Sequence, residues 1–155
     1  MGIWIRRLII SACVIALIPN MISFFSGLTI DLPKDIKSKV NNGDAVLIDL
    51  DKKVTLENDE ILFKHFVVAP DKTSLIFEVH ANENGWSFPE SAIELKDKQG
   101  NTYRMTSSYS SGYTWGQYMV NHYEPLEAGV ETIVVDFEWY DRTFQTEFSL
   151  DQGGM

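Results

Sequence analysis

Apolar and polar positions alternate most plainly in Thr73 to Ala81, where Leu75, Phe77 and Val79 are interleaved with Ile76, Glu78 and His80. A period of two predicts a half-buried β-strand. The same period returns near the C-terminus. There Ile133, Val135, Phe137 and Trp139 share one face, and Phe144, Phe148 and Leu150 share another, with Asp141-Arg142 at the turn between them. Trp139 is expected in the core of such a pair. Shorter runs rich in Val, Ile and Leu predict strands over Ala45 to Leu50, Lys53 to Leu56, Glu60 to Ala69 and Ala92 to Asp97. Thr102 to Ser107 reads as a further strand, joined to Ala92–Asp97 by Lys98-Gln99-Gly100-Asn101, a hairpin signature. About seven or eight short strands, with turn signals roughly every eight to twelve residues, predict an antiparallel β-sandwich.

Two stretches break the pattern. Thr106 to Gly112 (TSSYSSG) leads into Tyr113, Trp115, Gly116, Tyr118 and Tyr123, and reads as a long loop or an irregular edge. Asp31 to Asp44 is polar, with Pro33 near its start and Asn-Asn-Gly near its end. It reads as a linker containing at most one helical turn.

Ahead of that linker lies Leu8 to Ile30, an uncharged and mostly apolar run preceded by Arg6-Arg7. As a helix its 23 residues would span about 34 Å, enough to cross a hydrocarbon core. Arginines favour the cytoplasmic side, so the remainder is expected outside. A retained single-pass anchor is the leading expectation. A cleaved signal peptide ending near Pro19, or a lipoprotein signal around Cys13, would also export the C-terminal domain. A soluble cytoplasmic chain that buries this run as a helix is the alternative. The expected organisation is a membrane segment over 1–30, a linker over 31–44 and a β-sandwich over 45–151.

Charge sharpens this division. The whole chain of 155 residues carries a net charge of −9, and Arg6 and Arg7 are its only charges before Asp31. All 22 acidic residues therefore lie beyond the apolar run. So acidic a domain repels phosphate backbones, and nucleic-acid binding is not expected. Cys13 is the single cysteine, which removes disulfides, thiolate metal sites and cysteine nucleophiles from the domain.

The strand punctuation runs through Val54-Thr55-Leu56, Thr73 to Val79, Ile93 to Asp97 with Gly100 to Tyr103, and Tyr123 to Leu126, closing on Ile133-Val134-Val135. In this it resembles the immunoglobulin-like extracytoplasmic domains of poorly characterised surface proteins of spore-forming Gram-positive bacteria. Some of those are anti-sigma-factor-like proteins, with the domain beyond one transmembrane helix. The resemblance spans roughly residues 45 to 150 and implies an immunoglobulin-like fold and an extracytoplasmic place. It implies no catalytic residue. An anti-sigma factor also needs a cytoplasmic domain, and about seven residues precede the apolar run here, so that role is not expected.

Candidate chemistry is sparse. His65, His80 and His122 lie in or near different strands without HExxH or H-x-H spacing. Asp49, Asp51, Asn58, Asp59 and Glu60 are the densest acidic stretch, but lack the glycine and terminal glutamate of a calcium loop. Neither a G-x-S-x-G elbow nor a phosphate-binding glycine loop occurs. No cofactor and no enzymatic activity are expected. The best binding candidates are Tyr109, Tyr113, Trp115 and Tyr118 of the serine-rich stretch, with Trp86 from a neighbouring loop. Rigid amphipathic rings among adaptable hydroxyls suit a protein or glycan ligand, although the same rings could roof the core. The function expected is non-catalytic binding, sensing or protein interaction outside the membrane. A surface hydrolase acting on cell-wall polymer, and a structural subunit of a membrane complex, are the alternatives.

Overall fold

Nine β-strands, one α-helix and one 3-10 turn make up the described structure, a computed structural model that covers residues 32–81, 87–113 and 116–150, with the backbone alone at Tyr113. The chain divides into two compact units, Met1–Pro33 and Lys34–Met155. The first lies almost entirely outside the described residues, and with it the run 8–30 expected as anchor or signal. Among the described residues no helix is long and apolar enough to cross a membrane.

The second unit is mostly β, in two antiparallel sheets, as its alternation predicts. One sheet has five strands: β1 (Val46–Leu56), β2 (Asp59–Val68), β3 (Thr73–His80), β7 (Gly116–Tyr123) and β6 (Met105–Tyr113), side by side in that order. The other has four: β5 (Thr102–Tyr103), β4 (Ile93–Asp97), β8 (Thr132–Trp139) and β9 (Arg142–Ser149), again in spatial order. Every pairing is antiparallel.

Phenylalanines from both sheets fill the space between them. Phe63 packs edge-on against Phe148 with ring centroids 5.3 Å apart, and tilted against Phe77 at 5.8 Å. Phe88, Phe137 and Phe144 form a stack at spacings of 4.9 and 5.0 Å. Such rings add specific geometry to the transfer of apolar surface out of water. One polar strut crosses the same interior. Asn121 Nδ2 donates to the Glu90 carbonyl at 3.0 Å and to the Tyr123 hydroxyl at 3.3 Å, and that hydroxyl donates to the Ile93 carbonyl at 3.4 Å. Burial pushes the Tyr123 hydroxyl well above its ordinary pKa, so it stays a donor.

Several elements depart from the sequence expectation. Lys53–Leu56 and Ala45–Leu50 are one strand, continuous through a bulge at Asp49/Lys52 where Asp51 takes a φ of 39°. Strand β3 is buried on both faces: Ile76 is as inaccessible as Leu75. Thr102 to Ser107 is two strands in different sheets. The chain changes sheet at Arg104, whose carbonyl accepts from Glu124 N while its guanidinium pairs with the Glu124 carboxylate at 3.0 Å. Alternation runs on unbroken through that switch, so a period of two does not reveal it. Trp139, expected in the core, is 38% exposed at the end of β8.

The polar segment before β1 contains α1 (Lys34–Asn41), about two turns long. Ile36 is buried, and ion pairs Lys39–Asp71 (2.6 Å) and Lys72–Asp35 (3.5 Å) tie the helix to the β2–β3 turn. The helix closes on Gly43 with φ 79°, where Gly43 N reaches the Val40 carbonyl and Asp44 N the Lys39 carbonyl. That is a Schellman ending, and its left-handed position suits glycine.

Candidate interaction surface

Two sheets have four outer strands, and each edge exposes a row of backbone N–H and C=O groups able to pair with another chain. Three of the four are blunted. β5 is two residues long. β1 is bent by its bulge and carries Asp49, Asp51, Lys52 and Lys53. β9 carries Arg142 and Glu147, and is fastened to β1 from the opposite sheet. Lys52 Nζ donates to the Glu147 carbonyl at 3.1 Å and lies 5.4 Å from the Phe148 ring centre, while Arg142 pairs with Glu57 at 2.8 Å.

The fourth edge is different. β6 runs nine residues, Met105 to Tyr113, with no charge and no proline. Thr106 to Gly112 are all exposed. From Ser107 onward its pairing with β7 is regular, Ser107 opposite His122 through Tyr113 opposite Gly116. Of the two readings, loop and irregular edge, the second holds: the stretch is an edge strand, irregular at Thr106 and ordered from Ser107 onward. Serine and glycine disfavour strands by propensity, but propensity in sheets yields to the neighbour, and β7 supplies the partner. β7 itself hid behind Gln117, Asn121 and His122, polar residues that interrupt its apolar run. The last two find partners only in the fold: Asn121 on the Glu90 carbonyl, His122 on Ser74.

Tyr109 sits at the middle of β6, 56% exposed and opposite Val120. Tyr118 lies on β7 and is buried, so it adds nothing to an exposed aromatic patch. Trp86, Trp115 and the side chain of Tyr113 lie outside the described residues. The exposed aromatics that sequence reasoning missed are Trp139 and Tyr140, whose rings meet edge-on at 5.2 Å at the β8–β9 turn. Tyr140 is 87% exposed with a φ of 56°, a position usually given to glycine in a two-residue hairpin loop.

The remaining polar groups form separate pairs. His65 Nδ1 meets Asp49 at 2.7 Å, and His80 Nε2 meets Glu78 at 3.3 Å. Among the described residues no three His, Cys, Asp or Glu side chains gather as a metal site. Ser74 Oγ and His122 Nδ1 share a hydrogen bond of 2.8 Å, the beginning of a nucleophile–base pair. Ser74 is 1% exposed, however, so a substrate carbonyl has no way to its oxygen. Burial, aided by Lys72 and Lys39 and opposed by Asp35, lowers the His122 pKa and keeps the ring neutral. A pocket of about 220 Å³ beside Trp139 holds Glu94, Asp136 and Glu138. Lys96 lies between the first two, 2.8 Å from Glu94 and 2.9 Å from Asp136. Its ammonium fills the gap that a glycosidic oxygen or an attacking water needs between paired carboxylates. Those same two carboxylates, Glu94 first, hold the Lys96 pKa well above its ordinary value.

No family model and no curated protein matches the chain. A solved structure, that of a conserved domain protein from Bacillus anthracis, is similar to it with a TM-score of 0.52 at 10% sequence identity. The match covers 69% of this chain and 49% of that protein, so the chain spans about half the length of its structural neighbour. At that identity the likeness carries the fold alone.

Proposed function

We propose that this chain is a membrane-tethered extracytoplasmic module that works by protein interaction, without catalysis, through an immunoglobulin-like sandwich. The observation that carries the interaction is β6: a long, uncharged, exposed strand edge, where the other three edges among the described residues are blunted. Such an edge binds by adding a strand, with main-chain hydrogen bonds for affinity and side-chain pockets for selectivity. A polypeptide fits it better than a glycan, because a glycan cannot continue a backbone ladder.

The immunoglobulin-like reading is supported by strand order. Sets β2-β3-β7-β6 and β4-β8-β9 follow the four-plus-three arrangement of such domains, with β5 added beside β4 and β1 beside β2. The tether is supported by the sequence, Arg6-Arg7 ahead of an uncharged run long enough to span. The lysine between Glu94 and Asp136 and the burial of Ser74 favour interaction over a hydrolase acting on cell-wall polymer.

Site-specific photocrosslinking in the native membrane tests this. A probe at Tyr109 is expected to give a polypeptide adduct, and a probe at Asp51 on the β1 edge to give none. Equal labelling at both positions, or intact chain in the cytosolic fraction, would overturn the proposal.

A further inference from the structure

The five central residues of β6 read the same in both directions about Tyr109: Ser107-Ser108-Tyr109-Ser110-Ser111. We infer that the partner of this edge is a second copy of the chain, joined β6 to β6 in antiparallel register about a two-fold axis at Tyr109. This rests on the interaction reading above and names its partner.

An antiparallel ladder has a local two-fold axis at the centre of every directly opposed pair, hydrogen-bonded or not. Centring that axis on Tyr109 places Tyr109 against its own copy, Ser108 against Ser110, and Ser107 against Ser111. Each serine contact then occurs twice and the Tyr109 pair sits once on the axis, as an isologous interface requires. Two half-exposed tyrosines become a cross-strand aromatic pair, and the serines beside them are small enough to let the backbones close. All five residues lie in the regular part of the strand, beyond the irregularity at Met105/Ser107.

Charge favours self-association at this edge and opposes it elsewhere. A chain of net charge −9 repels its own copy over most of its surface. Along β6 and β7, Met105 to Tyr113 and Gly116 to Tyr123, no carboxylate, lysine or arginine occurs, and His122 is held neutral. A basic partner drawn by the acidic domain would find no carboxylate on this edge. An identical edge meets no repulsion. The union would extend two five-stranded sheets into one of about ten strands, near the upper size of twisted open sheets.

The test uses the full chain in detergent micelles, over micromolar to millimolar concentrations, by sedimentation. Wild type is expected to dimerise. S107K/S111K sets lysine against lysine at two cross-strand pairs and is expected to weaken the dimer about tenfold or more. S107K/S111E sets opposite charges at the same two pairs and is expected to restore it. Tyr109→Cys in a Cys13→Ser background places thiols within disulfide reach across the axis, so oxidation in membranes is expected to give covalent dimers. A wild type that stays monomeric throughout overturns self-pairing. So does a dimer indifferent to both charge pairs, which would be held by another surface. If the Tyr109 photoprobe labels a different polypeptide while the chain stays monomeric, self-pairing fails and the interaction reading stands. Loss of Tyr109 labelling altogether removes both.

Discussion

The two long edges of the five-stranded sheet face opposite problems. β1 is bent by a bulge, charged on four residues, and clamped to β9 through Lys52 and the Arg142–Glu57 pair. β6 is uncharged, regular from Ser107 onward and exposed from Thr106 to Gly112. Both edges offer the same backbone groups, and only one has been closed. Each strand carries one inserted residue, near the middle of β1 and near the start of β6, so what separates them is side-chain charge and where the bulge falls. The proposed interaction rests on this contrast among the described edges, since bare edges otherwise invite aggregation.

That contrast breaks most visibly where the closed side meets the core. Phe148 lies under Lys52 and packs edge-on against Phe63. Phe148→Ala is expected to cost about 3–5 kcal/mol of stability in urea unfolding, because a large buried ring leaves a cavity. A loss below about 1 kcal/mol would mean that the closed side contributes little to the core.

The pH dependence reads out the sheet between the two edges. His122 has a lowered pKa in the folded chain, chiefly from burial, so the unfolded state binds more protons as pH falls. Its contribution is fully present above the ordinary value of 6.5 and is lost as pH drops through the folded value. Melting temperature is therefore expected to fall below pH 6.5 in wild type, and to fall less steeply over that window in His122→Asn. Asp35 and Asp71 add losses only at lower pH, since their pKa values lie below the ordinary 3.8. In Asp35 hydrogen bonds and Lys72 outweigh burial, and in Asp71 the bond from Lys39 leads. Parallel curves for the two proteins near pH 6 would remove His122 from the account.

Smaller effects belong to the turns that end the clamped strands. Tyr140 and Glu57 both occupy left-handed positions, at φ 56° and 55°. Tyr140→Gly is expected to gain up to about 1 kcal/mol, because strain relief exceeds the entropy that glycine adds to the unfolded chain. Glu57→Gly gives up the Arg142 ion pair as well and should gain less. Equal gains would show that this pair does not hold the closed side together.

The smallest effect on stability lies on the open edge. At concentrations where the chain is monomeric, Tyr109→Ser is expected to shift unfolding by no more than about 0.5 kcal/mol, since an exposed side chain away from the core loses little. Its effect should appear in association. A loss above about 1 kcal/mol would make Tyr109 part of the fold instead of a free surface.

The sequence by itself determined the all-β class and much of the strand inventory. Thr73–Ala81, Ala92–Asp97 and the C-terminal hairpin were legible because a buried face needs every second side chain apolar, and that pattern is local. The hairpin at Lys98–Asn101 was equally legible: Gly100 takes a φ of 88° and Asn101 donates to both Asp97 carboxylate oxygens. Tertiary structure alone decided what local pattern cannot encode. Arg104 moves the chain between sheets without disturbing the alternation. Asn121 and His122 look unsuited to an inner strand until Glu90 and Ser74 arrive from distant positions to bond the Asn121 amide nitrogen and the His122 ring. The serines of β6 look like a loop until β7 lies beside them. Each of these depends on a hydrogen-bonding partner that becomes a neighbour only when the sheets close, and so the choice between loop and edge, which TSSYSSG leaves open in the sequence, was made only in the folded chain.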